Sequence, residues 1–227
     1  MKRDDVILVR GGGDLATGTI HRLWSAGLKV LVLEAEHPAA IRRQVSVSEA
    51  VYEGGAVVEG MCAALVKTLD EAVVVWHRGD VPVMVDPKGE LIPQVRPAAL
   101  VDAILAKKNL GTTKDMAPLT IGLGPGFCAG ADVDAVIETK RGHNLGRIIR
   151  QGSAYPNTGI PGIIGGYGAE RVIHAPAAGR MKNRSKIGDI VEAGQVLAVI
   201  EGEDGSTEVS ATIDGLLRGC LLYTSDA

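Results

Sequence analysis

Over the first hundred residues, short apolar runs alternate with stretches of helical spacing. Residues 6–9 are uniformly apolar, the pattern of a parallel strand buried on both faces. Ala16, Ile20, Leu23 and Trp24 then recur at i, i+4, i+7 and i+8, and Gly27 supplies a stop, so a helix is expected. Residues 30–33 form the next apolar run, ending on Glu34. Residues 38–43 read as a short helix, and residues 73–76 and 83–85 as further strands. Pro97 suits the first position of a helix carrying Leu100, Val101, Ile104 and Leu105. The alternation predicts an α/β unit with a parallel, Rossmann-like sheet over residues 1–112.

The pattern changes near residue 110, where Asn109-Leu110-Gly111-Thr112-Thr113 reads as a helix stop and linker. Beyond it lie strand-like segments at 119–123, 133–138, 147–149, 172–174, 190–191 and 196–200, with Gly and Pro between them and no amphipathic helix. A β-rich half is expected, divided into a Gly-turn segment at 113–170 and a smaller module at 171–219.

Composition narrows the class. The 227 residues are 46% hydrophobic and 22% charged, with a net charge of −3. That balance provides no basic footprint for nucleic acid and no polybasic arm for a membrane. Aromatics make up 3%, so the core falls to Val, Ile, Leu and Ala. The three cysteines, Cys62, Cys128 and Cys220, are widely spaced and argue against a disulfide framework or a zinc site. Residues 1–5 lead straight into an apolar run and no run approaches the ~20 residues of a membrane span, so a cytoplasmic protein is expected.

The chemistry of the first half centres on Gly11-Gly12-Gly13-Asp14-Leu15-Ala16-Thr17-Gly18. The turn follows a strand and opens a helix, which is the setting of the dinucleotide fingerprint. Gly11 allows the tight turn, Gly13 lets backbone approach a pyrophosphate, and the small Ala16 lets helix and strand pack closely. The helix N-terminus offers amides to the phosphate, and Glu34 stands where a ribose-binding acid belongs. NAD(P) or another nucleotide is the expected cofactor. Asp14 opposes a phosphate, although it can also cap the helix. A unit that has kept the fold and lost the nucleotide therefore stays open.

Gly122-Leu123-Gly124-Pro125-Gly126-Phe127 resembles a second phosphate loop. It leaves no room for a following helix, and Pro125 removes a donor, so it reads as a strand-to-strand turn lining a cleft. Cys128 beside it is either a small buried hydrophobe or a reactive thiol. Asp132, Asp134, Glu138, His143 and Asn144 are candidates for proton transfer or metal binding, with Asp134, Val136 and Glu138 on one strand face. A solvated hairpin with charged tips explains them equally well. His21, His37, His77 and His174 lack ligand spacing.

Ala175-Pro176-Ala177-Ala178-Gly179, followed by Gly188-Asp189-Ile190-Val191-Glu192-Ala193-Gly194-Gln195-Val196-Leu197, resembles the biotinyl/lipoyl barrel pattern. That resemblance implies a barrel-sandwich-like module and a carrier lysine just after Glu201. Gly202-Glu203-Asp204-Gly205 stands there instead, so neither biotin nor lipoate is expected and a structural or docking role remains. Residues 207–213 could begin the half-repeat that closes such a barrel. Residues 220–227 resemble translated sequencing adapter and are expected to lie outside the native protein, leaving the module truncated.

Six strings in order, Val9-Arg10-Gly11-Gly12-Gly13-Asp14-Leu15-Ala16-Thr17-Gly18, Ser48-Glu49-Ala50-Val51-Tyr52-Glu53-Gly54, Gly122 to Phe127, Asp132-Val133-Asp134-Ala135-Val136-Ile137-Glu138-Thr139, Arg141-Gly142-His143-Asn144-Leu145-Gly146 and Asn157-Thr158-Gly159-Ile160-Pro161-Gly162, resemble the YqeB family. Its members are accessory proteins of selenium-dependent molybdenum hydroxylase systems. The resemblance implies a maturation factor for xanthine-dehydrogenase-like enzymes, acting on or delivering the molybdenum cofactor or its selenium ligand. It carries no established catalytic residues. The expected partner is a hydroxylase client docked by the β-rich half, with no nucleic acid or membrane, and self-association is left open. A stand-alone NAD(P)-dependent oxidoreductase and a non-catalytic nucleotide-binding scaffold are the alternatives.

Overall fold

The computed structural model describes residues 5–159, 163–203 and 205–221. Ile160, Pro161 and Gly162 of the last family string, Asp204 and residues 1–4 and 222–227 lie outside them. The chain forms two units, residues 1–40 with 45–157, and residues 41–44 with 158–227.

The first unit is a nine-stranded, mostly parallel sheet. Its strands are β1 (Val6–Arg10), β2 (Lys29–Glu34), β3 (Gly55–Val58), β4 (Met61–Leu65), β5 (Val81–Val85), β6 (Ala99–Asp102), β7 (Thr120–Leu123), β8 (Ala135–Ile137) and β9 (Ile148–Ile149), in the order β3-β4-β5-β2-β1-β6-β7-β8-β9. Strands β4 to β8 of that order run parallel, and the outer pairs β3–β4 and β8–β9 are antiparallel. Helices α1 (Asp14–Ser25), α2 (Ala50–Glu53), α3 (Leu69–His77) and α4 (Ile92–Val95) complete it.

The apolar runs of β1 and β2 are buried on both faces. On β1, Ile7 and Val9 join a cluster with Ala16 and Ile20 of α1, while Leu8 joins one with Ala72 and Val75 of α3. Burying a side chain of this size contributes about 1.5–3 kcal/mol, and Trp24 and Trp76 pack against the two aliphatic layers. The two longer helices are also tied to the sheet or its loops: Trp76 Nε1 of α3 donates to Val30 O, and Trp24 Nε1 of α1 to Gly79 O.

Five expectations fail. Residues 73–76 are helical, inside α3, because Thr68 caps that helix by accepting from Glu71 N while Glu71 accepts from Lys67 N, a pairing close to the capping box. Residues 99–102 are strand β6, not a helix. It lies beside β1, where Leu100 and Val101 bury on opposite faces, and that central slot overrides the helical spacing. Residues 38–43 form bends, with a single 3-10 turn at Arg43–Val45, and residues 172–174 form no strand. The sheet also continues past the expected break at residue 112, since β7 pairs with β6 in parallel. Helices of more than two turns are confined to α1 and α3 among the described residues.

The second unit is β-rich. Strands β10 (Arg180–Asn183), β12 (Val196–Gly202) and β13 (Gly205–Ser210) form an antiparallel sheet, and β11 (Ile190–Val191) pairs with β14 (Gly215–Leu216). Val191, Leu197 and Ala211 make its small core. Gly179 (φ +146°) lies against β12, where an added Cβ would sit 2.3 Å from Glu201 O, so the Ala-Pro-x-x-Gly turn requires glycine there. Gly202 and Gly205, register partners at the ends of β12 and β13, bound the stretch in which the carrier lysine is missing.

Candidate functional site

The carboxyl ends of parallel strands are where open α/β sheets bind ligands, at the point where strand order reverses. Here that point is β1, flanked by β2 and β6. Four neighbouring strands end on a charge at this edge or just past it: Arg10 (β1), Glu34 (β2), Asp86 (after β5) and Asp102 (β6).

Glu34 closes the Gly-rich turn. Its Oε2 accepts from Gly12 N at 2.6 Å and its Oε1 from Ala35 N at 2.7 Å. Burial pushes its pKa up, and the amides of Ala35 and Gly12 only partly offset this. The turn is fixed on its other side by the segment before α2. Ser48 N donates to Gly12 O, and Val47 N to Thr17 Oγ1, whose hydroxyl bonds back to Gly13 O.

The eight residues of the turn divide by environment. Gly11 (φ +92°) is required by a close approach, since a Cβ there would lie 2.9 Å from Ala103 O; Gly12 backs onto Ser48, Val47 and Glu34. Gly13 is the helix N-cap and faces open space, with no atom within 4 Å of its Cβ position. Asp14 is the first helical residue and not the cap, so its charge faces the helix dipole favourably. Leu15 is half exposed, Ala16 and Thr17 are buried, and Gly18 is exposed one turn further on. Gly13, Asp14 and Leu15 are thus the positions open to a ligand.

Beneath the turn lies a cluster that the periodicity does not reveal. Arg10 and Asp102, register partners on β1 and β6, are 2% and 1% exposed. Their Nη1 and Oδ2 are 3.6 Å apart, bridged by Thr112 Oγ1, which accepts from Arg10 and donates to Asp102, each at 2.6 Å. Arg10 also donates to Pro87 O, and Asp102 accepts from Ile104 N. Asp86 holds the amides of Gly89, Glu90 and Leu91. Asn109 holds Thr112 by its N–H and C=O. The loop after β6 is therefore clamped across the switch point. Within it Leu105 (φ +59°) and Lys107 (φ +63°) are left-handed, at roughly 1–2 kcal/mol each. The signal that could have found this cluster is the charged residue closing each apolar run.

The second Gly-rich turn reaches the same edge, one strand beyond β6. Gly126 lies against the backbone of Lys107 and Lys108, Gly124 against Thr139, and Gly122 against Phe127. Close packing of protein on protein accounts for these glycines. The carboxylates near it are dispersed. Asp132 accepts from Cys128 N; Asp134 accepts from Thr120 N and Oγ1 and pairs with Lys114 at 3.5 Å. Glu138, 2% exposed, accepts from Lys140 N and Tyr155 N. Asp134 and Glu138 sit at opposite ends of β8, about 13 Å apart along a strand. The Thr120 amide holds Asp134 below the ordinary carboxylate range. For Glu138, burial pushes upward but the amides of Tyr155, Lys140 and Thr139 outweigh it and leave its pKa lowered. Asn144 Nδ2 meets Tyr155 Oη at 3.3 Å, His143 is exposed and Cys128 half-buried. Among the described residues no three His, Cys, Asp or Glu side chains group to hold a metal ion, and no helix is long and apolar enough to cross a membrane.

Two clefts on this unit lie away from the Gly-rich turn. One of about 700 Å³ is lined by Val6, Ile92, Arg96, Pro97, Met116 and Pro118, at the amino ends of β1 and β6. Another of about 450 Å³ is lined by Val66, Lys67, Val85, Asp86, Glu90 and Leu91, beside the carboxyl end of β5.

No family model and no solved structure matches the chain. Over 216 residues, 95% of its length, the chain is 50% identical to the "Uncharacterized protein YqeB" of Escherichia coli (strain K12). It covers 39% of that protein, about two fifths of the relative's length. The likeness extends over nearly the whole chain and supports its resemblance to the YqeB family.

Proposed function

We propose that this chain acts in the maturation of selenium-dependent molybdenum hydroxylases of the xanthine-dehydrogenase type, through a nucleotide-type site at the turn following β1. It would act on or deliver the molybdenum cofactor or its selenium ligand. The family resemblance suggests the role. The observation that carries the site is the Gly11–Gly13 turn with Glu34 bonded to it, at the strand where the sheet order reverses.

The order β5-β2-β1-β6-β7 supports a Rossmann-type reading, in which this position would take the pyrophosphate and ribose. The residues present fit such a group. Gly13 has open space beside it, the first amides of α1 can donate to a phosphate, and the Glu34 carboxylate is held at the turn. Asp14 opposes an anion there, which leaves the backbone amides as the phosphate's donors. When bound, a nicotinamide or other nucleotide would supply redox or group-transfer chemistry, and this chain's residues would orient it.

A second reading is a nucleotide-binding scaffold with no chemistry of its own. It is favoured by Glu34, Asp86, Asp102 and Glu138, each of which is engaged in holding loop amides. Co-expression of a hydroxylase with and without this protein tests the role. Omission should lower hydroxylase-bound selenium or molybdenum severalfold at unchanged apoprotein; unchanged contents overturn the proposal. Gly13→Val separates the two readings, because a pure scaffold keeps maturation after losing the nucleotide.

A further inference from the structure

The hairpin at the far edge of the first sheet differs in charge from the rest of the molecule. Residues 139–157 hold Lys140, Arg141, Arg147 and Arg150 and no Asp or Glu, in a chain with 27 acidic residues and a net charge of −3. The carboxylate just before them, Glu138, is buried and occupied by the amides of Lys140 and Tyr155. Arg141, Arg147 and Arg150 are exposed, and none forms an ion pair among the described residues.

Large apolar groups are interleaved with these cations. Leu145, Ile148 and Tyr155 are 58%, 57% and 51% exposed. Ile149 packs inward on Phe127, Val133 and Val136, which anchors the strand, while Ile148 beside it stays outside. Strand β9 is the last of the sheet among the described residues, so one side of its backbone has no strand partner among them. Such an edge accepts an added strand through main-chain hydrogen bonds, with the side chains setting specificity.

We infer that this edge is a docking surface for an extended, acidic polypeptide segment that adds alongside β9. Arg147 and Arg150 stand just before and just after β9, about 10 Å apart along an extended chain, a separation that two acidic side chains of one peptide can span and a single phosphate cannot. Exposed Leu, Ile, Tyr and Arg are what protein interfaces use. Nucleic acid fits less well. Two of the three apolar groups are aliphatic and cannot stack on bases, Lys140 Nζ lies 5.1 Å from the centre of the Tyr155 ring, and the chain as a whole is acidic. The inference is independent of the maturation reading, because it concerns a different part of the sheet.

The test uses the full chain and a labelled octapeptide of alternating Glu and Val, followed by fluorescence anisotropy. Saturable binding is expected, weakened by salt and weakened at least tenfold by the Arg147→Glu, Arg150→Glu double substitution. Val57→Asp on β3, at the opposite edge and 67% exposed, should leave it unchanged. Absence of saturable binding overturns the proposal and leaves the arginines as guards against edge pairing. So does equal affinity in the reversed variant, or full displacement by pyrophosphate or duplex DNA at concentrations near that of the peptide.

Discussion

Thr112→Val tests the clamp under the Gly-rich turn. Thr112 is completely buried, and its hydroxyl joins two buried charges, accepting from Arg10 and donating to Asp102 at 2.6 Å each. Valine keeps the shape and removes both bonds. A hydrogen bond to a charged group contributes about 1.5–3 kcal/mol, giving a gross loss of about 3–6 kcal/mol. Arg10 and Asp102 stand 3.6 Å apart and can close on each other, recovering part of it. The expected net loss is therefore about 2–4 kcal/mol, a fall of about 1–2 M in urea midpoint at an m-value near 2 kcal/mol/M. Both tryptophans, Trp24 and Trp76, lie in the first unit, so intrinsic fluorescence reports its unfolding specifically. Asp102→Ala should cost more, about 3–5 kcal/mol, because it strands a buried guanidinium; the double variant Arg10→Met, Asp102→Leu should cost less than Asp102→Ala. A Thr112→Val loss under about 0.5 kcal/mol, the range of ordinary surface changes, would refute the clamp.

Three further outcomes are expected. Gly11→Ala should destabilise the first unit by about 1–3 kcal/mol, since it forces a left-handed alanine against Ala103; Gly13→Ala, with ordinary φ and open space, should not. Thermal melts of the two variants compare them directly, and equal melting would contradict the turn geometry. For Glu34 the folded pKa lies above the unfolded one, so its contribution to stability is complete below the unfolded value and is lost as pH rises through the folded value. The stability advantage of wild type over Glu34→Gln should shrink as pH rises from the ordinary carboxylate range through the raised folded value; an advantage that grows would reverse the assignment. Under native conditions a maleimide should label exposed Cys62 before half-buried Cys128. Faster labelling at Cys128 would revive it as a reactive thiol.

The β1–turn–α1–β2 segment was legible because three local signals coincide there: an apolar run, a glycine turn and helical spacing that ends at Gly27. The expected break at residue 112 is absent for a physical reason. After β6 the sheet continues through β7, β8 and β9 with only a 3-10 turn among its connections, so the loss of helix looked like the end of the sheet. Residues 73–76 show the opposite error. Three consecutive valines and a tryptophan favour a strand locally, yet the Thr68 cap and burial of Ala72 and Val75 make a helix. The candidate carboxylates were individually visible, but their partners were not. Glu138 is bound to Tyr155, seventeen residues away, and Arg10 to Thr112, 102 residues away, pairings that only the sheet order creates.

The most direct measurement on the central claim is isothermal titration of the intact protein with NAD, NADP, ADP and ATP, alongside Gly13→Val. One of these nucleotides should bind saturably at one site per chain and lose that binding in the variant, with the variant's unfolding midpoint little changed. Binding by none of them, or undiminished binding to Gly13→Val, would contradict a nucleotide-type site at the turn after β1.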